Sequence, residues 1–203
     1  MVRRKMVQDL GETLNAVWQS VFRPKKFFSN RQSSLIQEKY GWMFILVRWA
    51  YYSVIFMFFR DYKGLWRPFQ PIPLGFSLDT YAFLQPRVSI FFGIFLMTSI
   101  AICLWLYLNR RKKGIQLFRI INTLGVTFFL PFVLVQPIDF FLLSTIGWNI
   151  VIIAPLHTFV LIWETQASII LLDHIRELTS SEKVMGGLII AAVWIFITAL
   201  FWR

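Results

Sequence analysis

The stretch from Trp148 to Glu177, WNIVIIAPLHTFVLIWETQASIILLDHIRE, constrains this chain more than any other. A bilayer crossing takes about 20 mostly apolar residues, and this stretch supplies them. It also carries His157 and Glu164 seven residues apart, with Ser168 four further on. Steps of seven and four return to one side of a helix, so the three groups share a face, with Thr158 and Thr165 beside it. A carboxylate at that depth costs roughly 3 kcal/mol unless it is paired or protonated. Lipid on every side is therefore excluded. The polar face must meet other helices, and the rest of the chain has to supply them.

It does so. Of 203 residues, 57% are hydrophobic and 18% aromatic, and only 15% are charged. Long apolar runs in such a composition read as a polytopic, all-α membrane bundle in one domain. The net charge of +11 fits anchoring at a cytoplasmic membrane face better than nucleic-acid binding. The single cysteine, Cys103, lies in an apolar run and reads as an inert packed thiol, which excludes an internal disulfide. No unbroken apolar segment follows the basic N-terminus, so no secretory signal is expected.

Residues 1–41 read as a cytoplasmic amphipathic helix and basic linker. Val7, Leu10, Leu14, Val17, Trp18 and Val21 recur at three and four spacing behind Arg3, Arg4 and Lys5. A helix of this kind lies in the headgroup plane, or docks on a partner protein. Pro24 ends it, and Lys25, Lys26 and Arg31 add positive charge. Residues 42–203 read as a five-helix transmembrane domain, with spans at about 42–59, 88–108, 115–135, 148–172 and 184–202. The segment Arg60 to Arg87 holds Pro68, Pro71, Pro73 and Pro86 and reads as a loop. Its part SLDTYAFL, with Ser77 as cap, is a short helix on the membrane surface. Pro131 predicts a kink in the third span. Pro137, Asp139 and Gly147 mark a turn before the fourth, and Gly186 and Gly187 permit close approach in the fifth.

Lys and Arg near span ends set orientation. One side collects Arg3, Arg4, Lys5, Arg23, Lys25, Lys26, Arg31, Lys39, Arg110, Arg111, Lys112, Lys113, Arg176 and Lys183. The other has Arg60, Lys63, Arg67, Arg87 and Arg203. This predicts a multi-pass cell-membrane protein with the N-terminus cytoplasmic and the C-terminus outside. The basic groups Arg3, Arg4, Lys5, Lys25, Lys26 and Arg110, Arg111, Lys112, Lys113 are then candidates for contact with anionic lipid headgroups, at about 1 kcal/mol each.

Within the membrane the candidate polar residues are Arg48, Arg119, His157, Glu164 and Ser168. Span directions place Arg48 and Glu164 within about 3 Å of one depth. Arg119 is roughly a turn shallower but long enough to reach. An Arg48–Glu164 pair fixing spans one and four is the structural reading; a path for a proton, ion or headgroup is the functional one. His157 reads as hydrogen-bonded to a neighbouring helix. His174 and Glu177 have metal-ligand spacing, but two groups are too few for a metal site. No phosphate loop, nucleophile elbow or HExxH motif is present, so no enzyme and no cofactor is expected.

Three segments resemble the prokaryotic branch of the Yip1-domain membrane proteins: LNAVWQSVFRPKKFF (14–28), FRIINTLGVTFFLPFVL (118–134), and the hairpin from Trp148 through WETQASIILLDHIRELTSSEKVMGGLIIA (163–191). The resemblance implies a five-span bundle with a cytoplasmic N-terminus. Eukaryotic members engage small GTPases through a longer acidic-aromatic tail; that tail is missing here, so GTPase binding is not implied. The Pro-rich first loop departs from the family's short turn. The expected function is a non-enzymatic scaffold that assembles with other membrane proteins or organises lipid. Two alternatives are a small transporter or channel-like subunit using Arg48, His157, Glu164 and Ser168, and an accessory subunit of an energy-converting membrane complex.

Overall fold

The structure, a computed structural model, describes residues 31–63, 78–146 and 150–201. The expected amphipathic helix at 1–22, with Arg3, Arg4 and Lys5, and Lys25 and Lys26 of the linker after it, lie outside the described residues. Among those described there are five helices and no strand: α1 Arg31–Lys63, α2 Leu78–Arg110, α3 Leu117–Ile146, α4 Ile150–Arg176 and α5 Ser180–Phe201. Four of them, α2 to α5, contain segments long and apolar enough to cross a bilayer: Arg87–Arg110, Leu117–Leu142, Ala154–Arg176 and Ser180–Leu200. This is a membrane-embedded helical protein. α1 is not among the four.

Three expectations need correcting. The segment SLDTYAFL is not a separate surface helix, since α2 runs unbroken from Leu78 to Arg110. Residues 137–146 are not a turn: α3 continues through both Pro131 and Pro137. Helices that bond their own backbone groups extend past the apolar core at little cost, so 30 to 33 residues exceed what a span of about 20 requires. Cys103 is exposed on α2, not packed.

The helices form a ring in the order α1, α3, α4, α5, α2 and back to α1, with α2 also against α3. The core is built on the inner stripes of α2 and α3. Met97, Ile100, Leu104 and Leu108 on α2 recur at three and four spacing, and Ile120, Leu124 and Phe128 on α3 at four; all are essentially fully buried. Leu172 of α4 and Ile190 of α5 close the cluster. α5 leaves most of its surface outside the bundle.

Parallel α1 and α3 meet backbone to backbone. A Cβ at Gly41 would overlap the backbone of Asn122, and one at Gly125 would overlap the Gly41 carbonyl. Small residues at such a point are what allow two helix axes to come this close. Asn122 Oδ1 accepts from the Trp42 N–H at 2.8 Å across the seam. Aromatic rings continue it, with Phe44 on Phe129 and both Trp49 and Tyr52 on Phe132. α1 meets α2 through Trp49 on Phe92 and a Ser53–Ser89 hydroxyl hydrogen bond. Gly93 makes room for the Trp49 ring. Of the expected close-approach glycines, Gly186 faces Ile169 of α4, whose Cδ1 a Cβ would meet at 2.8 Å.

Two connections are tied together at one end of the bundle. α5 opens with Thr179 as N-cap and Glu182 three residues on: the Thr179 N–H donates to Glu182 Oε2 at 2.8 Å, and the Glu182 N–H to Thr179 Oγ1 at 3.3 Å. This reciprocal capping box satisfies two otherwise orphaned donors. α4 closes at Glu177, whose N–H donates to the Asp173 carbonyl with φ 37°. Lys113 reaches across from the α2–α3 loop to Glu182 Oε2 at 3.1 Å and to the Glu177 carbonyl at 2.8 Å. Lys183 pairs with Asp173 at 2.7 Å.

Candidate functional site: a charged pair inside the bundle

Arg48 projects from the middle of α1 and Glu164 from the middle of α4, from either side of α3. Their Nη1 and Oε1 atoms are 2.9 Å apart, with side chains 3% and 0% exposed. The same Nη1 donates to the Phe128 carbonyl of α3 at 2.7 Å. Pro131 has no N–H, so the neighbouring Thr127 carbonyl lacks its usual helical donor at the same turn of α3. Aromatic faces enclose the cation: Phe132 at 4.2 Å, Phe128 and Trp49 at 5.4 Å. Rings at this range attract a desolvated guanidinium. The result is a neutral, closed knot of three helices.

One turn along α4, Ser168 donates to the Glu164 carbonyl at 2.8 Å, and its oxygen meets Thr127 Oγ1 at 2.6 Å. Thr127 Oγ1 likewise donates to the Thr123 carbonyl of its own helix at 3.0 Å, so either hydroxyl can supply the proton shared between them. Ser168 thus joins α4 to α3 directly beneath the ion pair. Glu164 Oε2 and Arg48 Nε are buried and have no hydrogen-bond partner among the described residues.

His157 is not part of this knot. It lies seven residues, about 10 Å, further along α4. There Nε2 is 3.1 Å from Asp139 Oδ2 of α3, with the imidazole 45% exposed and the carboxylate 7%. Asp139 is the residue that sequence reasoning missed, because Pro137 beside it reads as a turn. The α3–α4 hairpin register, in which Thr127 faces Ser168, puts Asp139 opposite His157. Arg119 lies nine residues before Phe128 on α3 and is not the partner of Glu164. Arg110, Arg111 and Lys112 are exposed at the α2–α3 loop, while Lys113 is held by Glu182. Among the described residues no three of His, Cys, Asp and Glu are grouped to hold a metal ion.

Through Arg48, Glu164 and the Phe128 carbonyl the arrangement ties α1, α3 and α4 together. Comparison with protein-family models, with curated proteins and with solved structures finds no match.

Proposed function

We propose that this chain is a non-enzymatic five-span membrane protein that assembles with other membrane proteins or organises lipid around itself. One observation carries the reading: the only buried cation–carboxylate pair among the described residues is shut between three helices and roofed by aromatic rings. A carrier needs its charged groups to be reached from water on at least one side, whereas a pair that fixes helix arrangement does not.

On this reading α1 is the fifth crossing. Its 33 residues are ample, and Glu164 neutralises the charge that would otherwise keep it out of the bilayer. The basic residues place the N-terminus in the cytoplasm, with its amphipathic segment at 1–22 in the headgroups. Exposed Arg110, Arg111 and Lys112 sit against anionic lipid on the same side. The likeness to Yip1-domain proteins belongs to this reading and rests on residues 14–28, 118–134 and 148–191 alone.

A second reading, a small transporter subunit using Arg48, His157, Glu164 and Ser168, is favoured by Glu164 Oε2 and Asp139 Oδ1, both buried without a hydrogen-bond partner. Flux separates the two. Proteoliposomes holding the purified chain should pass protons and potassium no faster than empty vesicles. Flux that Glu164→Gln abolishes would instead establish the transporter. Mild-detergent purification from the source membrane should bring down a membrane protein or bound lipid; recovery as a bare, lipid-free chain would count against a scaffold.

A further inference from the structure

The two sides of α4 differ. The inner side carries Val160, Glu164, Ser168 and Leu171, all buried. At about 100° per residue the opposite side runs through Ile152, Phe159, Ile162, Gln166 and Ile170, and all five are exposed. Gln166 lies at the centre of that outer face. It is also near the middle of the apolar segment Ala154–Arg176. An amide therefore stands within the apolar stretch of α4, directed away from the bundle, and has no hydrogen-bond partner among the described residues.

Hydrocarbon does not satisfy an amide. Leaving one unpaired there costs several kcal/mol. The first charged residue toward the nearer end of α4, Asp173, lies seven residues or about 10 Å along the helix, beyond the reach of a glutamine side chain. A protein neighbour is required, and the chemistry indicates which. A carboxamide is donor and acceptor at once, so it is its own complement across a two-fold axis. The flanking Phe159, Ile162 and Ile170 are apolar at three, four and four spacing, a pattern suited to helix-on-helix contact. The outer face carries no charge between Ile152 and Ile170 that would call for a charged partner. Every copy in one membrane also presents this face at the same depth and in the same direction.

We infer that α4 pairs with α4 of a second copy of this chain, in parallel, with the Gln166 amides hydrogen-bonded to each other across a two-fold axis along the membrane normal. The inference concerns the outer face of α4 and stands apart from the function proposed for the inner one.

Full-length protein in liposomes tests it. In a Cys103→Ser background, Ile162→Cys and Ile170→Cys should each give an oxidative disulfide dimer, and Leu188→Cys on the exposed side of α5 should not. Gln166→Leu should weaken dimerisation by roughly three- to tenfold, the range for interhelical polar contacts, and Gln166→Asn should keep most of it. Because the side chain faces outward, the melting temperature of the Gln166→Leu monomer should be unchanged, which separates lost association from lost folding. Absence of cross-links at both positions, or an unchanged dimer dissociation constant in Gln166→Leu, would overturn the inference. So would a different membrane protein that copurifies and is lost with Gln166→Leu, since the face would then belong to that protein. Flux through the same vesicles depends on neither result.

Discussion

At the scale of single residues, the decisive question is what a buried charge does when its partner goes. Arg48 and Glu164 are both inaccessible to solvent, and Arg48 also serves the Phe128 carbonyl. Removing one partner leaves the other charged in an apolar interior, at a cost of about 3–5 kcal/mol. Replacing both with apolar side chains of similar volume removes the burden as well as the attraction. Arg48→Met and Glu164→Leu alone should therefore each lower the thermal midpoint in mild detergent strongly, and the double variant should recover most of the loss. Additive losses would mean that the contact between the two side chains contributes nothing. Much of this pair was legible beforehand, because a carboxylate in an apolar run demands a cation and Arg48 lies at matching depth. What could not be read was the carbonyl of Phe128 and the ring cage, since these depend on how α3 is rotated. Asp139 escaped for a related reason. Its neighbour Pro137 argues for a turn in water, whereas a helix in a bilayer keeps its backbone bonds wherever it can.

At the scale of elements, the α1–α3 seam and the start of α5 are open to direct test. Gly125→Val puts a branched side chain where the Gly41 carbonyl already stands, so the two helices must separate. A loss of about 1–3 kcal/mol is expected from such overpacking, along with altered fluorescence of Trp42 or Trp49 on α1. Gly187→Ala meets only Thr165 Cγ2 at 3.5 Å and should be tolerated, so similar effects at the two positions would rule out a special role for the seam. Sequence alone singles out the paired glycines of α5, because adjacent glycines in an apolar helix draw the eye. Gly41 and Gly125 are single and belong to separate helices, and only the parallel α1–α3 register brings them together. The capping box was equally readable in principle, as Thr179-Ser180-Ser181-Glu182 before an apolar run. Thr179→Ala should cost about 0.5–2 kcal/mol. It should also loosen Lys113, whose carboxylate partner Glu182 is held by Thr179. Faster hydrogen exchange in both the α2–α3 loop and the α4–α5 turn would reveal that link; exchange confined to the turn would show the two connections to be independent.

At the scale of the whole molecule, the ring of helices leaves one arrangement relative to the membrane open to a single experiment. If α1 crosses with the other four, the number of crossings is odd and the chain ends lie on opposite sides. If α1 instead lies against the bundle without crossing, the count is four and the ends share a side. The parallel alignment of α1 with α3, fixed by Trp42 on Asn122 and Arg48 on Phe128, favours the first, because a helix in register with a spanning helix over its middle turns shares its depth. On the proposed reading, the excess of Lys and Arg at the α2–α3 and α4–α5 connections puts those connections on the cytoplasmic side. In a Cys103→Ser background, Lys112→Cys should react with a membrane-impermeant maleimide only in inverted vesicles, where the cytoplasmic face is outward. A cysteine appended after Arg203 should react only in right-side-out ones. A cysteine at Ser33, ahead of α1, should follow Lys112→Cys. If the Ser33 and C-terminal sites react from the same side, α1 does not cross, and Glu164 then reaches its arginine at the edge of a four-span bundle.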